Sequence, residues 1–263
     1  MKIIWHSAFC ILFSFQLFAV KIDRVILGCD SNPMYLEFWP IVAKTWTEIV
    51  GVRPTLALIA HKDVCIDETL GDVIRFEPIP NISTAFQAQI MRLLLPAYFE
   101  NDVCIISDMD MIPLQRDFFV NNVATVPAES FTIFNDGGRY LGNCPEYLMC
   151  YIVAKGKTFK EIFKISDIMH IPEIIKAWYQ LNLGWTSDQQ ILYAAVNQWE
   201  HYKTRVIKLG YAEPRRIDRM HWSYDRELLK QGHYYVDSHM LRPYSRYKNE
   251  IDSLVKDLFE LKI

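Results

Sequence analysis

The segment Cys104-Ile-Ile-Ser-Asp-Met-Asp-Met-Ile-Pro-Leu114, CIISDMDMIPL, places two aspartates at the end of an apolar run. The run predicts a buried β-strand that ends near Ser107, and Asp108 and Asp110 follow it directly. Two neighbouring carboxylates repel each other unless a cation or another group offsets them. Ligands of open α/β sheets bind beyond the carboxyl ends of the strands, so the segment predicts a binding site here.

Upstream of this segment, apolar strands alternate with amphipathic helices. Such an alternation is typical of a parallel sheet whose strands are connected by helices. The predicted strands are 25–29, 55–60, 73–76 and 103–107, and the predicted helices run over 33–50 and from about Thr84 to Pro96. The first strand ends around Gly28 and Asp30, which places these residues at the same edge of the sheet as Asp108 and Asp110.

The second half of the chain is less regular. Its apolar runs and helical periodicity still indicate an α/β arrangement. Strands are predicted at Phe131, over 147–153 and over 206–209, with a turn at 135–138, and helices are predicted from Thr158, over 172–181 and over 186–196.

Composition limits the class of protein. Of the 263 residues, 51% are apolar and 14% aromatic, which is enough for a sizeable core and argues against disorder. The formal net charge of −3 gives no basic excess for nucleic-acid binding. None of the six cysteines forms a Cys-x-x-Cys pair, so reduced thiols are expected, with a Cys144–Cys150 disulfide as the alternative.

The N-terminus carries an apolar stretch, Ile3 to Val20, with 14 apolar residues out of 18. It is long for the core of a signal peptide and short for a membrane span. We predict a leader over residues 1–22 and one domain over 23–263. The leader would put the protein in the secretory pathway or at a membrane if it is a signal or anchor. The protein would otherwise be cytoplasmic.

The Asp-x-Asp pattern has several interpretations when taken alone. It suits Mg²⁺ or Mn²⁺, which prefer oxygen ligands and leave positions open for phosphates, but two solvated aspartates in a loop would look the same. Phosphatases of the haloacid dehalogenase type also place Asp-x-Asp at a strand end. There the motif follows the first strand, whereas here it follows the fourth. A nucleotidyltransferase would need a basic, glycine-rich first loop, which LGCDSNP lacks.

Further motifs give the pattern a specific resemblance. Arg92-Leu-Leu-Leu-Pro96 followed by VCIISDMDMIPL resembles the Asp-x-Asp region of nucleotide-sugar-dependent glycosyltransferases of the GT-A fold. The helix start at Asp188-Gln189 resembles the one near the donor sugar in that family. His239 in SHMLRPY resembles a late metal-binding histidine, and Asp30 in GCDSN resembles the residue that holds the nucleoside. The resemblance covers roughly residues 25–244.

The resemblance implies a Rossmann-like, mixed but mostly parallel sheet with helices on both faces. It implies transfer of a sugar from a nucleoside diphosphate donor to a hydroxyl of a glycan, lipid or protein acceptor, with Mn²⁺ or Mg²⁺ as cofactor. The residues it implies are Asp108, Asp110 and His239 for the metal, Gly28, Asp30, Asp108 and Arg92 for the donor, and Arg92, Asp188 and Gln189 for catalysis.

Each of these residues also has a structural interpretation. Arg92 could be a surface arginine, Asp188 a plain helix cap, and His239 a histidine without a ligand. Arg242 and Arg246 are candidates for diphosphate contacts or for solvated side chains. For Tyr140, Trp185, Trp222 and Tyr244, stacking on a sugar or base competes with core packing. At the level of the whole protein, a catalytically silent sugar-nucleotide binder and the phosphatase remain as alternatives.

Overall fold

A computed structural model describes residues 20–135, 145–210 and 215–260. Its centre is a seven-stranded sheet in the order β3-β2-β1-β4-β7-β6-β8. The strands are β1 Arg24–Asp30, β2 Arg53–Ile59, β3 Asp72–Phe76, β4 Val103–Ile106, β6 Phe131–Ile133, β7 Ile152–Lys155 and β8 Val206–Lys208.

The sheet is mixed but mostly parallel, as predicted. Strand β1 runs parallel to β2 and β4, β2 runs parallel to β3, and β6 runs parallel to β8. Strand β7 is antiparallel to both β4 and β6. Because β1, β2, β3 and β4 share one direction, their carboxyl ends open at the same edge of the sheet, which is where Asp30 and Asp108 lie.

A small second sheet lies beside this edge. It contains β5 Met111–Pro113, β9 Arg216–Asp218 and β10 Asp237–His239, with β10 in the middle. Strand β10 is antiparallel to β5 and parallel to β9. This sheet follows directly from the Asp-x-Asp segment, because β5 begins at the residue after Asp110. The sequence did not predict β9 or β10, since three residues are too few for a periodic signal.

Helices cover both faces of the large sheet. Neighbouring side chains of β1 point to opposite faces: Val25 and Leu27 enter one apolar core, and Ile26 enters the other. The α-helices are α1 Pro33–Leu36, α2 Trp39–Thr45, α3 Thr84–Leu94, α4 Arg116–Ala124, α5 Gly156–Ile162, α6 Ile171–Tyr179, α7 Ser187–Gln198, α8 Tyr202–Arg205, α9 Arg226–Lys230 and α10 Lys248–Glu260.

Two predicted elements differ from the structure. The helix predicted over 33–50 is divided into α1, α2 and a π-helical turn over Trp46–Val50. Pro40 stands in the first turn of α2, where its missing N–H costs nothing. The strand predicted over 147–153 begins only at Ile152. Tyr147 and Tyr151 are buried there although neither belongs to a strand, so burial produced the apolar pattern.

The described chain begins within the predicted leader. Ile22, the last residue of the predicted leader, is buried in the core. Residues 1–19 of the leader lie outside the described residues. No helix in the described ranges is long and apolar enough to cross a membrane. Cys29, Cys65, Cys104 and Cys150 are free thiols, whereas Cys144 is outside the described residues.

Candidate functional site

A cavity of about 300 Å³ lies beyond the carboxyl ends of β1 and β4. Helices α3 and α7 and strand β10 contribute further parts of its wall. The structure therefore brings together residues that are up to 214 positions apart in the sequence, from Gly28 to Arg242. All eight predicted site residues line this cavity: Gly28, Asp30, Arg92, Asp108, Asp110, Asp188, Gln189 and His239.

Pairing between β5 and β10 brings His239 to the Asp-x-Asp segment. His239 stands opposite Met111 in the antiparallel register. The backbone N–H of Met240 donates a hydrogen bond to the carbonyl of Asp110 at 2.8 Å. As a result, Nε2 of His239 lies 3.4 Å from Oδ2 of Asp110. The register of a short sheet thus decides a contact that no local sequence pattern could give.

Arg92 joins two carboxylates into what we call the Arg92 cluster, which consists of Arg92, Asp108 and Asp188. One guanidinium nitrogen donates to Asp108 and another donates to Asp188. The side chain of Arg92 is 11% exposed and that of Asp188 is 1% exposed. Arg92 is therefore not a surface arginine. Its positive charge compensates the negative charge of Asp108 at the end of β4.

The charges in this cluster are held by opposing effects. Burial alone would lower the pKa of Arg92, but Asp108 and Asp188 outweigh it and raise the pKa, so the guanidinium stays charged. Burial raises the pKa of Asp188, and Arg92 offsets this only in part. The cluster carries one positive and two negative groups. An unsatisfied negative charge therefore remains next to the cavity.

Asp188 is not the plain helix cap that its position in the sequence allowed. The N-cap residue of α7 is Thr186, and Asp188 lies inside the first turn. Its Oδ1 accepts a hydrogen bond from the backbone N–H of Gln189 at 2.9 Å, while its Oδ2 contacts Arg92. Negative charge is favourable in the first turn of a helix.

Gly28 acts through packing. A Cβ atom at this position would lie 2.3 Å from the carbonyl oxygen of Ala88 and 3.4 Å from Cβ of Arg92. A glycine is therefore needed for α3 to approach β1 so closely, and this approach places Arg92 at the cavity. The side chain of Asp30 also connects β1 to α3. It accepts hydrogen bonds from Thr84 Oγ1, at the start of α3, at 2.8 Å and from the backbone N–H of Asn32 at 3.1 Å.

Asp110 forms a second cluster of opposite composition, which we call the Asp110 cluster: Asp110, Arg219, Arg242 and His239. Oδ2 of Asp110 accepts from Arg219 Nη1 at 2.6 Å and lies 3.3 Å from Nε of Arg242. Burial alone would raise the pKa of Asp110, but the hydrogen bond with His239 and the charges of Arg242 and Arg219 outweigh it and lower the pKa.

The sequence did not indicate Arg219, and Arg242 was only one of two arginine candidates. Arg219 immediately follows β9, whose last residue stands opposite His239 in the parallel register. Arg242 extends from the end of β10 and donates a hydrogen bond to the hydroxyl of Tyr35. Arg246 does not line the cavity. Arginines just past the ends of two paired strands are a signal that becomes visible only when the pairing is known.

A buried ion pair supports the strand that carries His239. The carboxylate of Asp237 accepts from Nε and Nη2 of Arg216, both at 2.7 Å, and from the hydroxyl of Tyr151 at 2.7 Å. Asp237 is fully buried. A bidentate pair of this kind fixes β9 against β10, so Arg219 and His239 are held on one rigid support.

The cavity offers an incomplete set of donors for Mn²⁺ or Mg²⁺. Carboxylate oxygens and an imidazole nitrogen are ligands that Mn²⁺ accepts, and Asp110 and His239 already lie in contact. No three His, Cys, Asp or Glu side chains converge on one point within the described ranges. Asp108 is directed to Arg92, and Asp110 is shared by two arginines. A metal at this site would therefore compete with guanidinium groups for the same carboxylates.

The aromatic candidates separate into two groups. Trp222 and Tyr244 are half-buried against the core, which supports their packing interpretation. Trp185 is 65% exposed and lines the cavity. Tyr140 and most of the predicted turn at 135–138 lie outside the described residues.

A larger hollow of about 630 Å³ lies among α5, α6 and α7. Its charged side chains are Glu161, Lys164 and Glu200, and Glu161 is already paired with Arg205. They form no cluster comparable with those around Arg92 and Asp110. We therefore place the functional site in the smaller, charged cavity.

Comparison with known proteins bears on the fold. No protein-family model and no curated protein sequence matches the chain. Among solved structures, an active-site mutant of LgtC matches with a TM-score of 0.51 and 14% identity over 88% of this chain and 95% of that chain. The galactosyltransferase LgtC in complex with donor and acceptor sugar analogs has a TM-score of 0.49 and 14% identity over 90% of this chain and 94% of that chain. The apo form of the glycosyltransferase GlyE of Streptococcus pneumoniae has a TM-score of 0.49 and 11% identity over 91% of this chain and 64% of that chain. At these identities the likeness concerns the fold alone, and by that measure the chain has the GT-A fold of these glycosyltransferases.

Proposed function

We propose that the protein is a glycosyltransferase that moves a sugar from a nucleoside diphosphate donor to an acceptor hydroxyl. The observation that carries this proposal is the Arg92 cluster, which holds Asp108 and Asp188 at the wall of a cavity that also contains the Asp110 cluster. The GT-A fold supports the same conclusion, because LgtC, which has the same fold, is a glycosyltransferase.

The two clusters favour one orientation of the donor. The diphosphate is anionic, so it belongs beside Arg219 and Arg242, whose guanidinium groups suit phosphate oxygens. The sugar then lies toward Asp188 and Gln189. Asp30, at the end of β1, is the candidate for the nucleoside. In this orientation the leaving group and the sugar ring each meet the charge that stabilises them.

During transfer, the acceptor oxygen forms a bond to the anomeric carbon. The bond from that carbon to the diphosphate oxygen breaks, and its electron pair leaves with the diphosphate, which also takes up the acceptor proton. Positive charge develops on the sugar ring as the bond breaks. The net negative charge of the Arg92 cluster stabilises it, because fixed charges in a cavity need no reorganisation when the reaction occurs.

Asp108, Asp110 and His239 would hold a divalent cation. When bound, Mn²⁺ or Mg²⁺ would supply Lewis-acid stabilisation of the negative charge on the diphosphate. Arg219 and Arg242 occupy Asp110 in the structure. We therefore expect the metal to bind more tightly once a diphosphate has drawn these arginines away from the carboxylate.

The direct test is a thermal-shift screen of nucleotide sugars with and without Mn²⁺, followed by measurement of nucleoside diphosphate release. A donor at 100 times its Kd stabilises the folded state by about 2.7 kcal/mol, which is easily detected. We expect one donor class to raise the Tm, to do so more with Mn²⁺, and to be turned over. Absence of any donor-induced shift would contradict the proposal.

The same experiment separates the alternatives. Binding of a donor without turnover in the presence of an acceptor mixture would identify a silent sugar-nucleotide binder. Phosphate release from p-nitrophenyl phosphate would identify a phosphatase. The contact between Asp108 and Arg92 argues against the phosphatase, because a nucleophilic aspartate must be free to attack.

A further inference from the structure

A second groove adjoins the charged cavity. It has a volume of about 440 Å³ and lies between the first half of α3 and the segment that connects α6 to α7. Ala85, Gln89 and Trp185 line both the groove and the cavity, so the two spaces meet along these residues. A ligand in this groove would therefore be a neighbour of the proposed donor.

Trp185 stands at the boundary between the two spaces. Its side chain is 65% exposed, and it is the one exposed tryptophan in the described part of the chain. An indole face that is open to solvent beside a cavity is available to stack on a sugar ring. Trp185 also lines the cavity that contains the Arg92 cluster, so a ligand on the indole would lie beside that cavity.

The backbone that carries the indole is fixed. Gln89 Nε2 donates to the carbonyl oxygen of Trp185 at 3.1 Å. Gly184 has a φ of +82°, a conformation that favours glycine, and its carbonyl accepts from Ser187 Oγ at 2.6 Å. These contacts hold the backbone of Trp185 in place before any ligand arrives, so binding does not have to order this segment.

The chemistry of the groove differs from that of the cavity. No Asp, Glu, Lys, Arg or His is among the described residues that line it. Its polar side chains are amides and hydroxyls, with Gln89, Gln180 and Asn182 as the amides. Such groups can donate to and accept from hydroxyl groups. An anionic ligand would find no positive partner there, whereas a neutral sugar would find hydrogen bonds and an aromatic face.

We propose that this groove binds a neutral sugar residue of the acceptor, stacked on Trp185. The proposal rests on the proposed function, since only a transferase has an acceptor. It narrows the acceptors expected for this protein, because a glycan with a neutral terminal sugar fits the groove and an acceptor with a charged terminal residue does not.

Saturation-transfer NMR with lactose, maltose, cellobiose and sialyllactose tests the inference on the intact protein. We expect at least one neutral disaccharide to bind and sialyllactose to bind at least tenfold more weakly. Trp185→Ala should weaken the neutral sugar at least tenfold, and Trp185→Phe should restore part of the affinity because it keeps an aromatic face. Gln180→Ala, at an exposed residue of the groove alone, should weaken binding by a smaller factor.

Met169→Ala is the matched control, because Met169 is 75% exposed and lies outside the groove and the cavity. It should bind the sugar as the wild type does. No binding of any neutral sugar, or equal binding by Trp185→Ala, would overturn the inference. The thermal shift with nucleotide sugars is measured separately, so a donor that binds while neutral sugars do not would refute the groove and leave the proposed transferase intact.

Discussion

The two clusters in the cavity have opposite arrangements of charge. In the Arg92 cluster, one guanidinium lies between two carboxylates, so the group is negative by one charge. In the Asp110 cluster, one carboxylate lies among two guanidinium groups and a histidine. Asp218 contacts the other side of His239 and brings the total charge around the Asp110 cluster close to zero. Arg219 and Arg242 still line the cavity.

This difference shows that a single cavity can present two distinct charge environments a few residues apart. Asp108 and Asp110 belong to one short motif, yet they have different partners because one faces α3 and α7 and the other faces β10. The burial of Asp188 raises its pKa, whereas the partners of Asp110 lower its pKa. Substitutions of Arg92, Asp188 and Asp110 should therefore differ in their effects on stability, on turnover and on the pH dependence of stability.

The largest effect is expected from Arg92→Ala. This change leaves Asp108 and Asp188 facing each other without a cation, and removal of one partner from a buried ion pair costs about 3–5 kcal/mol. The free energy of unfolding, measured by urea denaturation, should fall by that amount, and donor turnover should be lost. Arg92→Lys should recover only part of both, because an ammonium cannot bridge two carboxylates as a guanidinium does.

Arg116→Ala is the control, since the side chain of Arg116 is 58% exposed and its ion pair is with its exposed neighbour Asp117 at 3.9 Å. Its unfolding free energy should change by less than about 1 kcal/mol. Wild-type stability in Arg92→Ala would mean that the bridge between Asp108 and Asp188 contributes nothing, and the distinction between the two clusters would fail.

Asp188→Asn should separate stability from activity. The variant removes one of two negative charges and leaves Arg92 paired with Asp108, so the cluster becomes neutral. Asn also keeps an oxygen for the N–H of Gln189. We expect the free energy of unfolding to stay within about 1 kcal/mol of the wild type and donor turnover to fall about 100-fold or more, the scale of losing a charge that acts on the transition state.

The pH dependence gives this variant a second test. Because the pKa of Asp188 is raised in the folded state, the wild type is stabilised by this group at low pH and loses that advantage as pH rises. The stability of Asp188→Asn relative to the wild type should therefore improve from pH 4 to pH 7. Unchanged turnover in the variant would assign Asp188 a purely structural role.

A smaller loss of stability than that of Arg92→Ala is expected from Asp110→Asn, with a pH dependence opposite to that of Asp188→Asn. At pH 7 the variant should be less stable by about 1–3 kcal/mol, because Arg219 and Arg242 lose their charged partner. The folded pKa of Asp110 is lowered, so its contribution is present above the unfolded pKa of about 3.9 and is lost as pH falls through the folded value. The difference from the wild type should shrink below about pH 4.

Asp117→Asn is the matched control, because its side chain is 67% exposed and belongs to neither cluster. Denaturation curves at several pH values should give this variant the same free energy of unfolding as the wild type at each pH. If the free energies of unfolding of Asp110→Asn and Asp188→Asn, each relative to the wild type, changed in the same direction with pH, the two clusters would not differ electrostatically.

Much of the first half of the fold could be predicted from the sequence. Continuous apolar runs such as 25–29 and helices with apolar spacings of three and four are local signals, and they correctly gave the parallel strands β1, β2, β3 and β4. The second half was harder. The apolar run at 147–153 suggested a strand that begins only at Ile152, because Tyr147 and Tyr151 are buried although neither belongs to a strand.

The site shows the same division. Its predicted residues came from short motifs at the ends of elements, and the structure gathers all of them at one cavity. Arg219 was missed because its role depends on β9 lying beside β10, and β9 has only three residues. The exposure of Trp185 could not be predicted from the sequence either, since tryptophan side chains are on average largely buried.

The sequence by itself determined which residue types were available and where the strands of the parallel half would end, because hydrophobic periodicity and turn residues act over a few positions. Only the tertiary structure decided their partners. Asp108 meets Arg92 because Gly28 lets α3 approach β1, and Asp110 meets His239 because β10 pairs with β5. Contacts between residues about 16 to 130 positions apart depend on helix packing and strand register, and these are set by the whole core at once.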